Sequence, residues 1–137
     1  MTTIRMADGP PSASAYRAGA CNIGPAEIRR RRDAGILGVA ATVVLAAALV
    51  AMAAPAWARL LVFFPAAGAA IGFLQARMRF CVSFAVSGLR NFGPLGTPDK
   101  VMDAADHRAD LVSAGRLVAW AILVGATVAL LFALLPV

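Results

Sequence analysis

The sequence predicts an all-α integral membrane protein, on three observations. Apolar runs over 36–54, 60–74 and 117–135 contain no charged residue. At 61% hydrophobic, 15% charged and mean hydropathy +0.77 over 137 residues, the chain is far more apolar than the roughly 45–50% of an ordinary soluble domain. The 13 basic residues are segregated: six precede the first run, six lie in 75–116, and only Arg59 lies between the first two runs. Positively charged loops stay in the cytoplasm, so the arginine-rich sides are expected inside, the N-terminus inside and the C-terminus outside. The expected architecture is three transmembrane helices (36–54, 60–75 and 117–135), a cytoplasmic interfacial helix (79–91) and a cytoplasmic extension of the third span (98–116). Residues 1–20 are expected to form a flexible tail and 21–137 a single helical membrane domain.

Residues 1–20 are rich in Pro, Ser, Gly and Ala and contain no apolar core, so they predict neither a packed segment nor a cleavable signal. The first run is then expected to serve as the insertion signal. Tyr16 and Arg17 are the residues of that tail most suited to docking. Cys21-Asn22-Ile23-Gly24-Pro25-Ala26-Glu27 is a helix start, with Pro at the first helical position and an acid in the first turn. Arg29, Arg30, Arg31 and Arg32 follow, and nothing from there to Ala54 must break the helix.

The first run has 19 residues, about 28 Å at 1.5 Å each, close to a hydrocarbon core of about 30 Å. Pro55 ends it, and Trp57 suits the headgroup layer. The run over 60–74 is short for a span, and snorkelling by Arg59 and Arg77 would lengthen it; a re-entrant segment is the alternative. Pro65 predicts a kink there. Gly68 and Gly72 form a GxxxG pair, which lets two helix backbones approach closely. The segment 79–91 is apolar but bounded by Arg79 and Arg90, too short to span, and predicts an amphipathic helix at the surface. Gly93-Pro94-Leu95-Gly96 breaks it. Thr97-Pro98-Asp99 has the composition of a second helix start, and the third span follows with Trp120 near the interface.

Asp103, Asp106 and Asp110 recur at i, i+3 and i+7 and so share one helix face. They predict either a partner for Arg29–Arg32 or a solvated acidic face. His107 lies four residues after Asp103 without cysteines nearby, the pattern of a surface histidine rather than a metal ligand. The arginines, with Arg77 and Arg79, suit anionic lipid headgroups better than nucleic acid. Cys21 and Cys81 are too few for a disulfide scaffold; both are candidate thiols at the cytoplasmic interface.

Asn22-Ile23-Gly24, then Glu27-Ile28-Arg29 and Arg32, a first span, a second span and Phe80-Cys81 followed by Gly88-Leu89 resemble a known family. It comprises small two-helix inner-membrane proteins of unknown function that also occur as membrane tails of rhodanese (sulfurtransferase) proteins. The likeness covers 22–96. It departs at Val82, where the family has Pro after the cysteine. It implies a cysteine-bearing helical hairpin and a role in handling sulfur. The rhodanese chemistry itself does not carry over.

The spans contain no ionisable residue and no histidine, whereas pumps and ion carriers need an intramembrane ionisable group. The expectation is a non-enzymatic accessory or scaffold subunit of a bacterial inner-membrane complex, without cofactor or metal, partnered by lipid and by other membrane subunits or copies of itself. A thiol role for Cys81 is the alternative, and a homo-oligomeric channel or carrier the weakest.

Overall fold

A computed structural model describes residues 15–137; most of the expected tail, 1–14, lies outside them. The first helix, α1 (Pro25–Ala51), begins at the expected proline, with Gly24 as its cap. After a turn at Met52–Ala54, α2 (Ala56–Arg59) starts behind Pro55 and passes through a 3-10 turn (Leu60–Val62) into α3 (Phe63–Met78). A short helix α4 (Val82–Ser87), a two-residue strand β1 (Leu89–Arg90) and its partner β2 (Asp99–Lys100) lead to the long α5 (Ala104–Leu134).

Among the described residues, three helical stretches are long and apolar enough to cross a membrane: Pro25–Ala51, Ala56–Met78 and Ala104–Leu134. The second therefore exceeds the expected 60–75. Its 23 residues span about 34 Å, so the arginines need not snorkel to complete it. Pro65 is the third residue of α3. Within the continuous stretch it offers no N–H to the Leu61 carbonyl four residues earlier, and the irregularity found is the 3-10 turn at Leu60–Val62 that contains that carbonyl.

The middle span is the centre of the bundle. Of its most apolar stretch 44% is buried, against 11% in α1 and 22% in α5. The helix α3 packs on α1 along one side and on α5 along the other, and the outer faces of α1 and α5 remain uncovered. Close approach depends on glycines at the α1–α3 contact. A Cβ on Gly72 would lie 2.6 Å from the Gly35 nitrogen, and one on Gly38 would lie 2.7 Å from the Ala69 backbone. The expected partner of Gly72, Gly68, faces open space. The close contact therefore pairs Gly35 with Gly72 and Gly38 with Ala69, and Gly68 takes no part in it. On the other side, a Cβ on Gly125 of α5 would meet Ala67 at 2.8 Å.

Two expectations over 79–116 are corrected. The interfacial helix shrinks to the six residues of α4. Arg79, in the left-handed region at φ 54°, stops α3, and Gly88, at φ 68°, stops α4. One face of the segment is packed inward: Phe80, Cys81 and Ala85 have no exposed area, and Phe80 and Ala85 cluster with Ala114 and Leu117 of α5, whereas Val86 stays exposed. The second helix start moves from Thr97-Pro98-Asp99 to Asp103, whose carboxylate accepts the N–H groups of Ala105 at 2.7 Å and Asp106 at 3.2 Å. Asp99 and Lys100 are already committed to β2, paired with Arg90 and Leu89, and the Val101 N–H donates to the Gly88 carbonyl at 2.8 Å.

Candidate functional site

At the arginine-bearing end, a strap of extended chain ties the helices together. The Asn22 N–H donates to the Arg79 carbonyl at 3.1 Å; the Asn91 N–H donates to the Asn22 carbonyl at 2.9 Å; the Gly24 N–H donates to the Asn91 carbonyl at 2.7 Å. Gly24 is required by this threading, because a Cβ there would stand 2.7 Å from the Phe92 carbonyl oxygen. The strap thus joins the start of α1 to both the end of α3 and the loop after β1.

A buried polar knot forms beneath it. The Asn22 side chain grips the Cys81 backbone in both directions. Its Oδ1 accepts the Cys81 N–H at 2.7 Å, and its Nδ2 donates to the Cys81 carbonyl at 3.1 Å. Gln75 Oε1 accepts the next N–H, that of Val82, at 2.9 Å, capping the start of α4. Asn91 Nδ2 donates to Glu27 Oε1 at 3.3 Å and to the Pro94 carbonyl at 3.0 Å, and its Oδ1 accepts the Gly93 N–H at 3.0 Å. Glu27, 1% exposed, pairs across one helical turn with Arg31 at 3.5 Å. Arg31 in turn donates to Cys81 Sγ at 2.9 Å and lies 5.9 Å from the Phe84 ring centre. An ionised carboxylate buried without a partner is costly; here the guanidinium and the Asn91 amide compensate it.

Of the candidate thiols, Cys81 is fully covered and held at sulfur, carbonyl and N–H. A reagent reaches it only if α4 lifts away. Cys21 is half-buried, and its thiol points to the Ile23 carbonyl at 3.8 Å. The arginines divide likewise. Arg31 enters the knot, whereas Arg29, Arg30 and Arg32 stay exposed. Among the described residues none of these three lies within 4 Å of a carboxylate.

The acidic face is not a partner for those arginines. Asp103 caps α5. Asp110 is fully buried and receives the Tyr16 hydroxyl at 2.7 Å and the Gly19 N–H at 2.7 Å. The Ser113 hydroxyl donates to the Gly19 carbonyl at 2.5 Å, and the Arg90 guanidinium stacks 5.0 Å from the Tyr16 ring centre. Residues 16–19, expected as part of a free tail, are therefore latched to α5. Burial first, then the Asp110 hydrogen bond and charge, push the Tyr16 phenol well above its ordinary value near 10. His107 presents Nε2 toward Gly88, 3.6 Å from where a Cβ there would stand. The described residues contain no group of three or more metal-ligating side chains.

Trp120, four residues past Arg116 on α5, is exposed on the arginine-bearing side, and at the opposite end Trp57 is exposed beside the α1–α2 turn. Arg59, expected to snorkel, is 8% exposed. It donates to the carbonyls of Ala54 at 3.0 Å and Leu135 at 2.8 Å and to that of Val137. Sequence reading missed Asn22, Gln75 and Asn91 as site residues, and it missed the inward role of Asp110. The rarity of amides, three in the whole sequence, was the available signal.

Neither family models, curated proteins nor solved structures yield a match to this chain.

Proposed function

We propose that the chain is a non-enzymatic accessory subunit of a larger assembly in the bacterial inner membrane. In this reading the knot lies on the cytoplasmic side and the Arg59 lock outside. The observation that carries it is an apolar groove along α3. Ala66, Ala69 and Ala70 form its floor, Val39 and Val43 of α1 one wall, and Val124 and Val128 of α5 the other. Lipid tails are as apolar as side chains, so helices associate in a bilayer by close packing, and small residues favour it. A floor of alanines between two valine walls suits one transmembrane helix of a partner subunit. The knot and the Arg59 lock would hold the walls at a fixed separation to receive it.

The likeness to rhodanese membrane tails belongs to the same proposal. Asn22, Gly24, Glu27 and Cys81, which carry that likeness, are residues of the strap and knot. They support a hairpin unit whose cysteine acts as a structural acceptor for Arg31.

Extraction in mild detergent followed by mass measurement tests the reading. A larger assembly is expected for the native chain, and Ala70→Phe, which fills the groove, should release the subunit as a folded monomer. A native chain extracted only as a lipid-bound monomer would sink the proposal.

A further inference from the structure

A second cavity lies at the arginine-bearing end, separate from the groove on α3. This open cleft of about 960 Å³ lies between the strap, the first turn of α1 and the last turn of α3. Four arginines line it, Arg17, Arg29, Arg77 and Arg79, and among the described residues no acidic one does. All four arginines are exposed, and among the described residues none has a carboxylate within 4 Å. The nearby acids are committed elsewhere: Glu27 to Arg31 and Asn91, Asp110 to Tyr16 and Gly19. Gly24 and Pro25 also line the cleft, so the positive end of the 27-residue α1 adds its dipole to the same space. The Arg79 backbone is fixed where the strap bonds to its carbonyl.

Ile28, Met78 and Phe92 supply an apolar wall, so the cleft presents cationic and greasy surfaces together. Its depth fits an amphiphile. Arg29 precedes the apolar run at Ile36 by seven residues, about 10 Å along the helix, which is headgroup level beside a hydrocarbon core of about 30 Å. We propose that this cleft is a binding site for a phosphate-bearing anion, supplied by an anionic phospholipid whose phosphodiester sits among Arg17, Arg29, Arg77 and Arg79.

Cys21 lines the same cleft and reports its occupancy, while covered Cys81 reports folding. The protein is placed in nanodiscs of phosphatidylcholine alone, of phosphatidylcholine with phosphatidylglycerol, or of phosphatidylcholine with inorganic phosphate added. Alkylation of each cysteine by a neutral maleimide is then followed by peptide mass. Phosphatidylglycerol should slow Cys21 labelling severalfold, and inorganic phosphate should do so weakly or not at all. The pair Arg29→Gln and Arg77→Gln should remove the protection. The pair Arg30→Gln and Arg32→Gln, equal in charge but outside the cleft, should keep it. Arg77→Gln alone replaces the first pair if Cys81 becomes labelled. Equal labelling in all three discs, or equal loss of protection in both pairs, overturns the site. Protection by inorganic phosphate without an effect of phosphatidylglycerol overturns the lipid source.

Discussion

The two ends of the helical layer are held together by different physics. At the arginine-bearing end, Asn22, Glu27, Arg31, Gln75 and Asn91 are joined by hydrogen bonds and one ion pair, largely out of water. At the other end, an apolar cluster of Leu49, Ala54, Ala58, Val62 and Ala129 is closed by a single side chain, Arg59. Apolar packing is tolerant of small shifts, whereas a buried amide that loses its partner leaves a desolvated group costing about 1–3 kcal/mol. The first end therefore fixes one arrangement of strap, hairpin and α5; the second can breathe.

The comparison breaks most readily at the glycine contact between the two ends. A side chain at Gly72 must displace the α1 backbone at Gly35 and Arg31 rather than a flexible side chain. Gly72→Leu should prevent the hairpin from forming, with loss of folded protein on extraction. Gly68→Ala meets no atom and replaces a poor helix former, so it should be neutral or stabilising by up to about 1 kcal/mol. Equal effects at the two glycines in a thermal aggregation assay would refute the register of α1 on α3.

The next largest effect is expected at the knot. Asn22→Leu leaves the Cys81 N–H unpaired, while the Cys81 carbonyl keeps the Ala85 N–H at 3.0 Å, and should cost about 1–3 kcal/mol, the desolvation of one buried group. Its specific signature is labelling of Cys81 by maleimide, since α4 loses its anchor. Asn22→Asp keeps the acceptor for the Cys81 N–H and should expose the thiol less. Arg59→Met tests the opposite end. It should raise amide exchange over 130–137 and cost about 1–3 kcal/mol, yet leave Cys81 unlabelled. Labelling of Cys81 in that variant would show that the two ends are coupled through α3 and α5.

These contrasts also mark where the sequence was legible. Long apolar runs and a proline at the first helical position have local causes, and α1 and the core of α5 follow from them. The GxxxG spacing identified α3 as a close-packing helix but could not choose its face. The i, i+3 pair Gly35 and Gly38, at the start of the first run, held the complementary information. The knot is non-local, since Asn22 and Asn91 are separated by both hairpin helices. Nothing in the neighbours of either residue distinguishes a buried clamp from a loop amide. Asp103 and Asp110 look alike on a helical wheel. One is a cap and the other a buried acceptor, because only the latter lies under the latch at residues 16–19.

That latch gives the smallest expected effect and the one with a pH signature. Tyr16→Phe removes the hydroxyl donor to buried Asp110, while the Gly19 N–H still serves the other oxygen. The loss at neutral pH should therefore stay near 1 kcal/mol, the net value of one hydrogen bond. Folding raises the phenol's proton affinity above its ordinary value near 10. The stabilisation it brings is thus fully present below that pH and is lost progressively as pH rises through and beyond it. Native protein should loosen its N-terminal latch above about pH 10, seen as faster protease cleavage near Arg17. The phenylalanine variant should be cleaved faster at neutral pH and show a flatter rise above 10. A variant as pH-dependent as the native chain would assign the alkaline transition to another group and dissolve the Tyr16–Asp110 latch as its cause.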